Sequence, residues 1–337
     1  MQTIFEKLYR QENLTRQEMA QIANLIFEGQ LSEAQLSAFL TSLKIKGETP
    51  EEMAGLAETI QQKALQIKQT PIAAMDNCGT GGDRSNSFNI STTAAFILAA
   101  AGIPMAKHGN RSISSRSGSA DVLETLGIQL AITPEKISYL LNEVGIAFLF
   151  APAMHPKMSH VMKVRKELGT PTILNLIGPL TNPVPLDTQL LGTYRRDLVA
   201  ATAETFGKLG RRQGIVVNGA GGMDEANLSG ENHYAFYQNN QVTEYTFTPE
   251  EVGFQRAPIA AIQGSGPLEN AAILESVLKN TASVYTDTAI LNAGLGLVAS
   301  GLVVDLPAGI QLARQIVASG AAYDKLHQLV GSQREVA

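Results

Sequence analysis

The sequence predicts an α/β protein, with a small N-terminal all-helical domain and a larger α/β domain built on a mostly parallel central sheet. Three observations predict it. Residues 1–70 carry three capping boxes in succession and helical apolar stripes, with no strand pattern. After Pro71, short apolar runs alternate with helical segments, as in strands joined by crossover helices. The first of those runs opens into a glycine-rich loop and then a helix, a frame in which backbone N–H groups cradle phosphate.

The whole chain bounds the answer. Its 337 residues suit two domains. Hydrophobic residues make up 44% and aromatic residues only 6%, with no Trp and 30 Gly, so the core must be built from small aliphatic side chains. A net charge of −5 and the absence of any run of five like charges argue against a nucleic-acid partner held on an extended basic face. One cysteine, Cys78, allows no internal disulfide and no cysteine-rich zinc site. The first 30 residues hold Glu6, Glu12, Glu18 and Glu28 without a long apolar run, and the longest apolar stretch, 94–102, is too short to span a bilayer. The expectation is a soluble, cytoplasmic protein with no membrane partner.

In the helical domain, Thr15 is matched by Glu18, Ser32 by Gln35, and Thr49 by Glu52 with Pro50 in the first turn. Ile4, Leu8 and Leu14 belong to a first short segment. Met19, Ile22, Ile26 and Phe27 follow helical spacing in the second, and Leu36, Phe39, Leu40 and Leu43 in the third. Such a small unit must pack on the main domain or on another copy. The expectation is a homodimer through these helices, against the alternative that the stripes are filled within the chain. The domain boundaries follow as 1–70, joined by the 170–185 segment, and 71–337.

In the second domain, 73–78 reads as a strand, GTGGDRSNSFN as a loop, and 91–101 as a helix stopped by Gly102. The loop is not a dinucleotide fingerprint, because Arg84 stands at the third glycine position, and no GxxxxGK[ST] occurs. Asn89, Ile90, Ser91 and Thr92 open the helix, where one hydroxyl, Ser91 or Thr92, could ligate Mg2+ or simply cap it. The runs 103–107, 146–150, 172–176, 189–194 and 214–218 read as strands, with helices near 134–144, 156–168 and 196–210. GPLTNPVP at 178–185 breaks the alternation, as a crossing loop. Thr248 and Glu251 form a further capping box, and helices follow at 270–279, 288–300 and 307–319, the last ended by Gly320.

The stretch 107–127, KHGNRSISSRSGSADVLETLG, is rich in serine and cations, and from about 116 to 126 it reads as a helix. Hydroxyls, Lys107, Arg111, Arg116 and free N–H groups there suit a polyanion such as phosphate; the alternative is a solvated turn. Asp83, Asp224 and Glu225 are candidate metal ligands. The adjacent pair Asp224-Glu225, in a glycine-rich loop after a strand, is costly unless solvated or neutralised by a cation. Arg165, beside Lys163 and Lys166, is either part of an exposed basic face or a carboxylate clamp. The five histidines form no HExxH, and no GxSxG elbow exists, which removes zinc and serine hydrolysis.

Together, GTGGD at 79–83, NIST at 89–92, the 107–127 stretch, RKELGTPTILNLIGPLTNP at 165–183 and MDE at 223–225 resemble anthranilate phosphoribosyltransferases. The likeness covers nearly the whole chain. It implies the nucleoside phosphorylase/phosphoribosyltransferase-like fold and transfer of phosphoribose from phosphoribosyl pyrophosphate (PRPP) to the amine of anthranilate, in tryptophan biosynthesis. It implies PRPP contacts from Gly79, Gly82, Asp83, Ser87, Asn89, Ile90, Ser91, Thr92, Lys107, His108, Gly109, Asn110, Arg111, Ser112, Ile113, Ser114, Ser115 and Ser119. It implies Mg2+, as two ions, at Ser91, Asp224 and Glu225, and places anthranilate near Gly79, Asn110 and Arg165. His108 is a candidate proton acceptor, with a positioning role preferred.

Four positions depart from the family pattern. Arg84 stands where a small residue is usual, Ser87 where Thr is, Asn218 where His is and Pro171 where Arg is. The rival readings are a pyrimidine-nucleoside phosphorylase, disfavoured by Asp224-Glu225 and Arg165, and a non-catalytic nucleic-acid-binding relative, disfavoured by the net charge.

Overall fold

The computed structural model describes residues 1–111 and 117–334. The N-terminal unit is four helices: α1 (Gln2–Tyr9), α2 (Arg16–Phe27), α3 (Glu33–Lys46) and α4 (Pro50–Gln62). All three capping boxes close as expected, each with its side chain on the N3 N–H and the N3 side chain on the cap's own N–H. The last box does more than cap. Glu52 also accepts the Leu14 N–H at 2.8 Å and the Lys46 ammonium at 2.9 Å, and the Lys46–Glu52 pair is almost wholly sealed from water.

The chain then builds β1 (Met75–Asp76), α5 (Ile90–Ala100), β2 (Met105–Gly109), α6 (Ser119–Thr125), α7 (Pro134–Tyr139) and β3 (Ile146–Phe150). Next come the short α8 (Ala151–Met154), α9 (Ser159–Leu168), α10 (Ile173–Leu176), β4 (Thr188–Gly192), α11 (Val199–Lys208) and β5 (Gln213–Asn218). A hairpin of β6 (Asn232–Gln238) and β7 (Gln241–Phe247) precedes α12 (Pro267–Leu278), α13 (Val284–Ser300), α14 (Leu306–Ala318) and α15 (Ala321–Arg334). The seven strands form one sheet in the order β3-β2-β1-β4-β5-β6-β7, parallel from β3 to β5 and antiparallel in the hairpin. The order reverses between β1 and β4, and in such sheets the crevice at the strand carboxyl ends of the switch point is where ligands sit.

Alternation along the strands sends side chains into two cores. Ile215 and Val217 join the core made with α5 and α13, while Val216 joins one made with α11 and all four N-terminal helices. Met19, Ile22, Phe39, Leu40 and Leu43 are fully buried there. The apolar stripes are therefore filled within the chain, the alternative to their forming the dimer contact. The 170–185 segment shares this core through Ile173, Leu174, Ile177 and Leu180, and Gln61 of α4 donates to the carbonyls of Leu180 and Asn182 at 3.0 and 3.1 Å.

Several elements differ from the sequence expectation. The run 172–176 is a helical turn, not a strand: Asn175 accepts the Thr172 N–H at 3.1 Å, and Ile173, Leu174 and Leu176 are buried. A short apolar run has the same periodicity in either state, so packing decided. β1 keeps only two residues, because the Asp76 carboxylate takes the Cys78 N–H at 3.2 Å. At Thr248 and Glu251 half of the expected box forms, with Glu251 accepting the Thr248 N–H at 2.7 Å and its hydroxyl at 3.0 Å, and only a single turn of 3-10 helix follows. The β6–β7 hairpin and α15 were not expected. The hairpin's signal was the pair Asn239-Asn240, which adopts φ of 53° and 60°, as a two-residue primed turn requires. Among the described residues no helix is long and apolar enough to cross a membrane.

Glu52→Ala would leave Lys46 buried without a counter-charge and the Leu14 N–H unpaired. It is expected to destabilise the chain by ~3 kcal/mol, read by urea unfolding; a loss below about 1 kcal/mol would show that the pair contributes little.

Candidate active site

The carboxyl ends of β1, β4 and β5 converge at the switch point. β1 runs into 79–83, β4 ends at Gly192, and β5 feeds the loop that carries Asp224 and Glu225. Glycine is required where these meet. A Cβ on Gly79 would overlap the Asp224 carboxylate, one on Gly192 the Asp224 carbonyl, and one on Gly219 the Glu225 carbonyl. Three strand ends thus surrender their side chains to let the acid pair approach.

Asp224 is 8% exposed and accepts the Gly81 N–H at 2.6 Å. Its own N–H donates to Asp83 Oδ2 at 3.4 Å, and Asp83 Oδ1 is held by the Ser85 N–H and hydroxyl, both at 3.0 Å. Burial first, then the charges of Asp83 and Glu225, push the Asp224 carboxyl well above the usual carboxylate range. Glu225 is raised too, chiefly by burial, with Lys107 and a hydrogen bond to Ser91 acting in the opposite direction. Lys107 is 3% exposed and donates to Ser91 Oγ at 3.3 Å. The structure therefore brings together Gly79, Asp83, Ser91, Lys107, Asp224 and Glu225. Of the two candidate hydroxyls, Ser91 faces this cluster while Thr92 is 2% exposed.

The start of α5 is shaped for a ligand rather than capped. Asn89 makes no cap bond; its Oδ1 instead accepts from Asn270 Nδ2 at 3.0 Å, which leaves the Asn89 amide NH2 as a donor. Ser87 lies in an isolated bridge with Gln263, and Ile90 is buried as the first helical residue. Gly82 takes a positive φ of 85°, close to the Tyr194 ring, and Arg84 adopts φ 60° in the exposed part of the loop. The loop after β2 holds Gly109 against Ser119 and Phe148, so a side chain there would collide with both. The Asn110 carbonyl accepts from Ser119 Oγ at 3.2 Å, and Arg111 forks onto Asp121 at 2.7 Å and Glu124 at 3.0 and 3.2 Å. Ser112, Ile113, Ser114 and Ser115, with Arg116, lie outside the described residues.

His108 points to the other face of β2. It is 3% exposed, its Nε2 has no partner among the described residues, and burial pulls it down to about 3, so its ring is neutral and weakly basic. It meets His155 edge to face at 5.2 Å, and burial pulls His155 down to about 4. This suits positioning better than proton acceptance, for which a base near the working pH is preferred. Arg165 is half-buried on α9, and burial lowers its pKa. Its one side-chain bond is a long contact to Met162 Sδ at 3.7 Å, with no carboxylate among the described residues, whereas the neighbouring Lys163 pairs with Glu33 at 2.6 Å. No hydrogen bond among the described residues ties Arg165 to the acid pair. Sequence reasoning missed Gly192 and Gly219, whose role appears only once three strand ends are side by side.

The oxygen donors Ser91, Asp224 and Glu225, with two raised carboxyls short of positive charge, fit a hard divalent cation. A glycine-rich loop and an uncapped helix start beside them fit a phosphate ester. Fold and site define a glycosyl transferase of two units: residues 2–64 match the glycosyl transferase family helical bundle domain and residues 72–323 its a/b domain. The chain is 60% identical to an anthranilate phosphoribosyltransferase of Listeria monocytogenes, over 100% of this chain and 99% of the relative. It is 54% identical to that of Streptococcus mutans, over 99% of both. Among solved structures, anthranilate phosphoribosyltransferase from Thermus thermophilus superposes with a TM-score of 0.93 at 40% identity, covering 98% of this chain and 99% of that one. The Saccharomyces cerevisiae enzyme in complex with PRPP and Mg gives 0.89 at 26% identity, over 99% and 98%. The chain belongs to the anthranilate phosphoribosyltransferase family.

Asp224 and Glu225 carry raised pKa values in the folded chain, so the fold binds protons that the unfolded chain has released. Stability should therefore fall as pH rises from the ordinary carboxylate range through the folded values. In metal-free buffer at about pH 8, Asp224→Asn is expected to raise Tm by about 2 °C, the gain closing below about pH 4. A lower Tm at the higher pH would show that the charge stabilises the loop instead.

Proposed function

We propose that this chain transfers phosphoribose from PRPP to the amine of anthranilate, giving N-(5-phosphoribosyl)anthranilate and pyrophosphate. The observation that carries the reading is the adjacent Asp224-Glu225 pair, with Asp224 buried, facing Ser91 and Lys107 at the switch point, in a chain that matches relatives of that activity along its full length. In the reaction the C1–O bond to pyrophosphate breaks while the ribose carbon gains oxocarbenium character, and the aniline nitrogen supplies the electron pair of the new C–N bond before losing its proton. That nitrogen is neutral near pH 7, so no strong base is needed. The weakly basic His108 is consistent with this.

Each group of residues has a part. The 79–83 loop, Asn89 to Thr92, Lys107 to Asn110, Arg111 and Ser119 bind PRPP through N–H groups, hydroxyls and cations. Ser91, Asp224 and Glu225 hold Mg2+ as two ions, which when bound add the positive charge against which pyrophosphate departs. Lys107 and the loop amides stabilise the leaving group, so preorganised charge and positioning supply most of the rate. Arg165 clamps the anthranilate carboxylate, with Gly79 and Asn110 beside the ring; its half-burial without an acidic partner among the described residues supports this. The functional division runs at residue 70, with 170–185 serving the helical unit. A homodimer through the outer faces of α1 and α3 is supported by Tyr9 and Ile45, which stand 64% and 68% exposed there.

Anthranilate fluorescence should fall on incubation with PRPP and Mg2+, with equimolar pyrophosphate released, and EDTA should abolish the loss. A folded chain that consumes no anthranilate sinks the reading. Arg165→Ala is expected to raise the anthranilate KM about 50-fold and to leave PRPP affinity within about 2-fold. Equal losses for both ligands would refute the clamp.

A further inference from the structure

We propose that Asn292, on α13, is a positioning residue for the acid pair: it fixes the peptide that follows Glu225 and so sets where the two carboxylates stand. The inference rests on the reading that Asp224 and Glu225 hold the divalent cation.

Asn292 is fully buried, the one carboxamide of α13, within the aliphatic stretch 289–299. Its Oδ1 accepts the Ala226 N–H at 3.1 Å, and its Nδ2 donates to the Ala226 carbonyl at 2.8 Å. The second Nδ2 proton goes to the Thr288 carbonyl, one helical turn back, at 2.9 Å. Both backbone groups of Ala226 are thus paired with one side chain, as a neighbouring strand would pair them. The Thr288 bond fixes the amide plane, so the side chain cannot rotate to follow the loop. On the other flank of the acids, Gly219 N–H donates to the Met223 carbonyl at 2.8 Å in an isolated bridge. Asp224 and Glu225 are suspended between these two anchors, Met223 and Ala226.

The chemistry explains why a rigid anchor is needed. Asp224 and Glu225 are adjacent carboxylates, with Asp83 placed against the Asp224 N–H at 3.4 Å, and three such acids repel one another. A mobile loop would relieve that repulsion by swinging one acid toward water. Clamping Ala226 from a long buried helix removes that escape and keeps both oxygens at the strand ends. Groups that orient metal ligands without touching the metal commonly matter about 10-fold or more for affinity.

The test uses Mn2+ as a paramagnetic reporter, with free Mn2+ followed by electron paramagnetic resonance in the presence of PRPP, on wild type, Glu225→Gln, Asn292→Ala and Asn292→Asp. Folding of each is checked by circular dichroism. The expected result is a rise of about 10-fold in the Mn2+ midpoint for Asn292→Ala, with the anthranilate KM unchanged. Asn292→Asp, which keeps volume and acceptor but loses the Nδ2 donors, should also raise it and covers the case in which the alanine variant fails to fold. A merely structural role would lower Tm without moving the midpoint, so a folded variant within about 2-fold of wild type overturns the proposal. If Glu225→Gln also leaves Mn2+ uptake unchanged, the metal reading itself has failed; if only the Asn292 variants do, the positioning role alone has.

Discussion

The mutual repulsion of three clustered carboxyls, buried Asp224 between half-buried Asp83 and Glu225, is the constraint around which the α/β unit is arranged. Like charges in a low-dielectric setting are costly, and here the cost is met by geometry rather than by solvent. Gly79, Gly192 and Gly219 give up their side chains so that the acid loop can sit on the strand ends. The Gly81 N–H, Lys107 and Ser91 supply local donors and charge, yet Asp224 and Glu225 remain raised. What is left over is a deficit of positive charge at the switch point, in reach of a loop made for phosphate. A ligand that brings its own cation relieves it.

The rest of the fold keeps that deficit in place. Buried amides act as fixed partners where the sheet ladder has ended. Asn182 Nδ2 donates to both Asp76 Oδ2 at 3.0 Å and the Ala106 carbonyl at 2.8 Å, and so ties the crossing segment to β1 and β2. Asn232 and Asn227 exchange bonds within the turn below the acid loop, and Asn270 orients Asn89. Such groups are stable in the interior only when their hydrogen bonds are made, and made networks hold a single geometry. The carboxylate of Asp76, raised by its burial, plays the same role at the end of β1 by taking the N–H groups of Cys78 and His108.

The helical unit is attached to this scaffold, not set apart from it. Its stripes share a core with α11 and with the outward face of β4 and β5, through Leu191 and Val216. The same core receives α9 and α10, which places Arg165 on a helix that belongs to both units. α9 packs on α2 and α3, so the side chain proposed to hold the acceptor stands on a helix anchored to the helical unit.

Local chemistry was legible without coordinates. The capping boxes at Thr15, Ser32 and Thr49, the glycine-rich loop and the adjacent acids at 224 and 225 rest on patterns within a few residues, which the chain order already states. Ambiguity began where a signal has two solutions. The run at 172–176 fits strand or buried helix alike, and the core beside α3 chose. β6 and β7 carry a turn signal in Asn239-Asn240, but β7 is an exposed edge without the apolar alternation that marks a strand. The close approach of Gly192 and Gly219 to Asp224 and Glu225, the pairing of Asn292 with Ala226, and the burial that makes His108 a poor base all join residues far apart in the chain. Sequence determined which residues could form helix, loop and ligand set, since those depend on neighbours. Only the tertiary structure decided which polar groups are buried together, since desolvation and charge repulsion depend on distance through space.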